Sequence, residues 1–301
     1  MKIKKLLAAV LATVALPTMA CAAPAPATAL PDADPALWVV KDADTTVYLF
    51  GTFHALDGKT DWFNDEVKAA FDKSSEVYLE AILPDNPAEM QPMVMKYGLD
   101  PSGKKLSAKL TPELKAKFEK VGGEFGLPVA MLESPMEPWL LNMSIGAAAA
   151  MKLGLNPEMG ADKQILKSAR AAGKKVGELE GAEFQMKLFD TVPEKDQIKQ
   201  LGQTLDQVPQ MKPMLTSMLG YWNKGDSEGL GKLLNQGATE MPDFYKLLLT
   251  DRNATWAEWI NKRMDQPGTV FIAVGAGHLA GKGSVQDMLQ KKGFKSERVK
   301  N

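Results

Sequence analysis

Thr269-Val270-Phe271-Ile272-Ala273-Val274-Gly275-Ala276-Gly277-His278 reads as a strand and the loop that leaves it. An almost continuous apolar run of this length suits a strand buried on both faces, as in a sheet covered by helices on either side. A second copy of the arrangement stands near the other end of the chain. There the β-rich run Thr45 to Phe50 is followed by Gly51-Thr52-Phe53-His54. The chain has only two histidines, and each is the fourth residue of a Gly-x-x-His motif behind a predicted strand. Open α/β sheets place ligands and catalytic groups on loops at the carboxyl ends of their strands. Glycine at the head of each motif is expected to permit the turn.

Working outward, Leu37-Trp38-Val39-Val40 and Thr45 to Phe50 flank the turn-forming Lys41-Asp42-Ala43-Asp44, which predicts a hairpin. Asn64 to Lys73 has helical spacing and Glu76 to Leu79 returns to strand character, a strand-helix-strand unit that favours a parallel pair. The region 86–264 reads as mainly helical apart from a strand near 174–179. Thr111-Pro112 and Ser134-Pro135 are candidate helix starts, Ala182 to Phe189 is helical, and Gly and Pro break the pattern after Glu194. Gly283 to Lys292 suits a helix and Ser296 to Val299 a last strand. The expected fold is therefore α/β, a central mixed but largely parallel sheet built by the N- and C-terminal parts. The long helical middle packs on it as a layer or lid.

At the N-terminus, Lys2, Lys4 and Lys5 precede an uncharged run from Leu6 to Ala20, too short and too Ala-rich for a permanent membrane span. Residues 1–22 are expected to be a signal peptide cleaved at Ala20-Cys21-Ala22, and residues 23–36 a flexible leader into a single domain, 37–301. Cys21 offers the competing reading of a lipidated N-terminus on an outer-membrane lipoprotein. Thr18 and Met19 fit that signal poorly. Export to the periplasm or outside the cell follows, with no membrane span after processing.

Charged residues make up 24% and hydrophobic ones 45%, which is ordinary for a globular domain. Without the three signal lysines, 33 basic residues face 37 acidic ones, a balance that points away from nucleic acid. Cys21 is the sole cysteine, so thiolate metal sites are excluded and any metal must use His, carboxylate, carbonyl or water.

Two carboxylates share the placement of the histidines: Glu80 follows Val77-Tyr78-Leu79, and Glu180 follows Val176 to Leu179. Each taken alone could be a solvated loop residue, as each histidine alone could be a structural imidazole. Four such groups on one sheet edge suit a divalent cation with open positions, or acid-base chemistry on a bound substrate. His54, Glu80, Glu180 and His278 are thus the candidate catalytic and metal-ligating set. Trp139 reads as a packing residue, and Met211, Met214 and Met218 as core or groove.

In this order along the chain, Leu37-Trp38-Val39, Leu49 to His54, Leu79-Glu80, Pro138-Trp139, Gly160-Ala161-Asp162, Leu179-Glu180 with Gln185, Asp251-Arg252-Asn253 and Val274 to Leu279 resemble the TraB/GumN family. That family includes the TIKI metalloproteases and is more distantly similar to erythromycin esterases. The resemblance covers Leu37 to Val299 and departs from the usual first motif in having Phe53 at an aliphatic position. It implies a hydrolase-like site at His54, Glu80, Glu180 and His278, with a metal implied by the protease branch. It also implies a supporting or substrate-binding role for Arg252 and Asn253. Arg252 would clamp a substrate carboxylate or hold one of the glutamates.

The resulting expectation is an exported hydrolase acting on a peptide, amide or ester bond of a peptide or small-molecule substrate. In one version, manganese, cobalt or zinc held by the His/Glu set activates water; in the metal-free version, a histidine paired with Glu80 or Glu180 is the general base. The alternative is a binding or regulatory protein that sequesters a peptide signal, haem or another ligand in the same pocket.

Overall fold

The computed structural model describes residues 29–300, without the side chains of 235–240. Six strands appear in it: β1 (Leu37–Lys41), β2 (Thr45–Thr52), β3 (Glu76–Leu79), β4 (Lys175–Glu178), β5 (Gly268–Gly275) and β6 (Ser296–Arg298). They form one sheet in the order β4-β3-β5-β2-β1-β6. β1 and β2 make the expected antiparallel hairpin, and β6 closes the edge antiparallel to β1. β2, β5, β3 and β4 are mutually parallel, with Thr52 opposite Gly275 and Leu79 opposite both Ala273 and Glu178. Four adjacent strands therefore end at the same edge.

The apolar run of β5 is continuous because both faces are covered. Phe271 and Ala273 face a core with Phe50, Phe71, Ile165 and Trp222, supplied partly by helices Asp65–Lys73 and Ala161–Ala171. Val270, Ile272 and Val274 face Val47, Leu49, Trp256, Ile260 and Leu289, supplied partly by helices Asp251–Arg263 and Val285–Lys291. Each such side chain contributes about 1.5–3 kcal/mol on burial, which ties the two termini into one sheet. The helical middle has its own core, with Phe118, Leu141, Ile145, Leu201 and Leu205 between helices Pro112–Phe125, Pro138–Lys152 and Glu194–Asn223. Trp139 packs as expected, buried and stacked on Phe189.

Several local expectations need correction. Ser134-Pro135 does not start a helix: the Ser134 hydroxyl turns back to the Met131 carbonyl at 2.7 Å, and the helix begins at Pro138 after Glu137. The segment after Glu194 is not broken at its prolines, for a 30-residue helix runs through Pro209 and Pro213. Proline removes a backbone donor and strains the preceding turn, but Leu205, Val208 and Met211 are anchored in the helical core on either side. Met214, by contrast, is exposed.

The end of the leader is bound to the domain. Ala33 is buried, its amide donates to the Asp61 carbonyl at 3.0 Å, and the Asp34 amide donates to that of Asn223 at 2.8 Å. The expected signal peptide, Cys21 and the first part of the leader lie outside the described residues. No helix among the described residues is long and apolar enough to cross a membrane.

Candidate active site

Glu180, Glu80, His278 and His54 leave the carboxyl ends of β4, β3, β5 and β2, the four adjacent parallel strands. The ladder between β3 and β4 continues past its last pair, with the Glu180 amide donating to the Glu80 carbonyl at 2.9 Å. The four residues, up to 224 positions apart in numbering, thus share one edge of the sheet.

The motif glycines serve a different purpose from the expected turn. Gly275 has φ −51° and ψ 133°, which any residue adopts. A Cβ there would lie 3.1 Å from Glu80 Oε1, 3.2 Å from His54 Nε2 and 3.7 Å from His278 Cδ2. At Gly51 a Cβ would meet Cα and Cβ of Ala276 at 3.1 Å. Each glycine is needed for close approach: Gly51 lets the two motifs touch, and Gly275 leaves room for the side chains of the site.

Arg252 gathers three of the four residues. It follows one π-helical turn, Lys246–Thr250, at the start of helix Asp251–Arg263; such turns recur at functional sites. Its Nε donates to Glu180 Oε1 at 2.9 Å and Oε2 at 3.1 Å. Nη2 donates to Glu80 Oε2 at 2.7 Å and Glu180 Oε2 at 2.9 Å. Nη1 donates to the Leu248 carbonyl at 2.9 Å and to His278 Nε2 at 3.1 Å. The guanidinium also lies 4.9 Å from the Trp256 ring centroid. Asn253 completes the set: its Oδ1 is 2.6 Å from His278 Nδ1, and its amide donates to the Gly283 carbonyl. Gln185, on helix Ala182–Asp190, donates to Glu80 Oε2 at 3.1 Å. The arginine read from sequence as solvated or supporting is buried and holds both glutamates.

Electrostatics follow from this packing. Burial pulls the His278 imidazole down to about 3, helped by Arg252 and His54 and opposed by Glu80, so it is neutral near pH 7. Burial pushes the Glu80 carboxyl up, but His278, Arg252, His54 and the Gly275 amide reverse this and leave it at about 2. Because His278 is itself neutral, the permanent charge that keeps Glu80 ionised near pH 7 is the guanidinium.

His54 differs from His278 in every respect. Its ring sits in the wall of a cleft yet is 63% accessible, and its Nδ1 lies 3.4 Å from Oδ1 of Asp162, a buried oxygen with no hydrogen-bond partner. Burial pulls the imidazole down, but Asp162 and Glu80 outweigh burial and Arg252 and raise it above 6.5. Asp162 reaches this position because Gly160 packs directly on the His54 carbonyl and the Ala161 amide donates to that of Phe53 at 2.9 Å. The sequence contained the signal, Gly160-Ala161-Asp162, but nothing local tied it to His54.

His54, Glu80, Asp162 and Gln185 line a cavity of about 290 Å³. It shares Leu79, Ala81, Leu83, Asp162 and Lys163 with a groove of about 1000 Å³ that runs along helix Ala161–Ala171.

As a metal site, the four predicted ligands do not fit. Both oxygens of Glu180, Nε2 of His278 and Oε2 of Glu80 already accept from Arg252. Glu80 Oε1 accepts from the Gly275 amide at 2.6 Å. Among the described residues, Asp32, Asp34 and Asp65 form the one acidic or histidine group whose ligand atoms lie within 4.8 Å of one another. That group surrounds the bound leader: Asp32 Oδ1 accepts from the Asn64 amide and from Ala33 N.

Comparison with known proteins agrees with this arrangement. An uncharacterized Escherichia coli (strain K12) protein, YbaP, is 30% identical over 63% of this chain and 70% of its own length. The Danio rerio protein named Metalloprotease TIKI1 is 27% identical over 87% of this chain and 62% of its own length. An uncharacterized Treponema pallidum (strain Nichols) protein is 23% identical over 85% and 80%. No solved structure gives a significant match. The sequence model of the TraB/PrgY/gumN family matches residues 36–298, a span that takes in the whole sheet and every residue of the site, and on that match the chain belongs to the TraB/PrgY/gumN family.

Proposed function

We propose that the chain is an exported hydrolase that cleaves a peptide, amide or ester bond, with His54 as general base and Asp162 as the group that orients it. The observation that carries this reading is the position of His54. Its Nδ1 faces Asp162, so the proton resides there and the Nε2 lone pair faces the cleft beside Glu80 and Gly275. In the reaction, Nε2 takes a proton from water as the water oxygen adds to the substrate carbonyl carbon. The imidazolium then returns that proton to the leaving amine or alcohol as the carbonyl re-forms. Asp162 and the Glu80 carboxylate favour the imidazolium between those steps. Arg252 keeps Glu80 ionised and fixed, and His278 with Asn253 fixes Arg252.

The groove beyond the cleft supports an extended substrate. It is far larger than a single residue needs, and Leu83, Pro84, Pro87 and Met159 give it apolar walls beside Lys163 and Lys167. A relative named as a metalloprotease supports the hydrolase class. The same groove favours the second reading, a binding protein that sequesters a peptide signal or haem. Turnover separates the two. Purified mature protein should hydrolyse members of a panel of peptide, amide and ester substrates, and His54→Ala should lose that activity while still binding the substrate. Binding without turnover by wild type, or full turnover by folded His54→Ala, would sink the proposal.

A further inference from the structure

We infer that Arg252 takes the place of a divalent cation between Glu80, Glu180 and His278, so that this chain holds no metal at those residues. The inference goes beyond the hydrolase reading and stands whether or not the chain turns over a substrate.

A guanidinium carries five N–H donors and no acceptor, and all five of Arg252 are used. Nε serves Glu180, Nη1 serves Leu248 and His278, and Nη2 serves Glu80 and Glu180. The acceptor side is equally spent. An arginine can only donate, so His278 Nε2 presents its lone pair to Nη1, and Nδ1 carries the proton that Asn253 Oδ1 receives. A metal ion needs that same Nε2 lone pair. It also needs a carboxylate oxygen, and both of Glu180 are taken by a fork whose planar geometry matches them.

Expelling the arginine would strip it of these partners and of its stack on Trp256. What remains facing the cleft is His54 Nε2 and the second lone pair of Glu80 Oε1, two donors where catalytic zinc sites use three protein ligands. One positive charge is thus built into the chain where a cation-dependent site would recruit it from solution. Arg252 is a positioning residue here, for its donors reach only protein atoms.

The inference predicts opposite behaviour of two proteins. Wild type, treated with chelator, dialysed and titrated with Mn²⁺, Co²⁺ and Zn²⁺, should retain no equivalent of ion in native mass spectrometry that Glu180→Gln abolishes. Arg252→Ala frees Glu80, Glu180 and His278 together. It should bind one Co²⁺, with visible absorption bands of a low-coordinate site that disappear in the Arg252→Ala/Glu180→Gln double variant. Circular dichroism establishes that the variants are folded, and the wild-type titration decides alone if Arg252→Ala does not fold. An ion that persists in Glu180→Gln lies elsewhere and leaves the inference standing. Stoichiometric binding by wild type that Glu180→Gln removes, or a folded Arg252→Ala that gains no Co²⁺, overturns it. None of these readouts depends on activity, so failure of the hydrolase reading would leave this test intact.

Discussion

Nη1 of Arg252 lies 3.1 Å from Nε2 of His278, and this contact separates the two histidines that the sequence presents as a matched pair. It fixes His278 as a neutral imidazole protonated on Nδ1, buried against Trp256 at a ring separation of 4.3 Å. A ring whose lone pair is already taken cannot accept a proton from water. His54, with an open edge, can.

The two alanine variants should therefore fail in different ways. His54→Ala should lower turnover by roughly two to four orders of magnitude, the usual contribution of a general base, with little change in stability because its ring is largely accessible. His278→Ala should leave Arg252 Nη1 and Asn253 Oδ1 short of a partner and open a cavity, costing about 2–4 kcal/mol. Urea unfolding read beside turnover distinguishes them; equal stability loss in both would refute the distinction.

Gly275→Ala tests the close approach. Its backbone can carry alanine, but the new methyl would press on Glu80 Oε1 at 3.1 Å and His54 Nε2 at 3.2 Å. Turnover should fall at least tenfold, a change on the order of 1.4 kcal/mol in the barrier, while the unfolding midpoint moves little. Unchanged kinetics would mean that the site has slack the distances do not suggest.

The pH dependence of kcat/KM should report His54. A base works unprotonated, and this imidazole is raised above 6.5, so activity should climb as pH rises through that elevated value. Asp162→Asn removes the hydrogen bond and the charge that raise it, so the rising limb should shift to lower pH while the plateau drops. His278 and Glu80, at about 3 and about 2, titrate too low to produce this limb. A limb that stays put in Asp162→Asn would assign the base elsewhere.

Acid should destabilise the fold from near neutrality downward. Below about 6.5 an unfolded histidine binds a proton that folded His278 refuses until about 3, so stability falls as pH drops through that window. Glu80 acts in the same direction: its contribution is complete above 4.5 and is lost as pH falls towards 2. The combined loss is on the order of a few kcal/mol. Denaturant midpoints measured from about pH 7 to pH 4 should decline, and His278→Asn should be weaker at neutral pH yet decline less. A slope identical to wild type would rule out His278 as its source.

What the sequence by itself determined was the set of locally encoded features. The β2 and β5 runs, the hairpin with β1, the two Gly-x-x-His motifs and the glutamates that follow β3 and β4 are all legible, because strand character and strand-end loops depend on residues within a few positions of one another. The parallel edge that collects His54, Glu80, Glu180 and His278 could be expected from the same logic.

Tertiary structure decided the rest. Arg252 meets Glu180 and Glu80 across 72 and 172 positions of chain, and Asp162 meets His54 through packing of a helix start against a loop. Gly275 must be glycine because of neighbours contributed by β2 and β3, so its own dihedral angles give no hint of the reason. A guanidinium on a helix surface and one enclosed by two carboxylates and an imidazole have the same local sequence. Only the order of the strands, set by which apolar faces can be buried together, tells them apart.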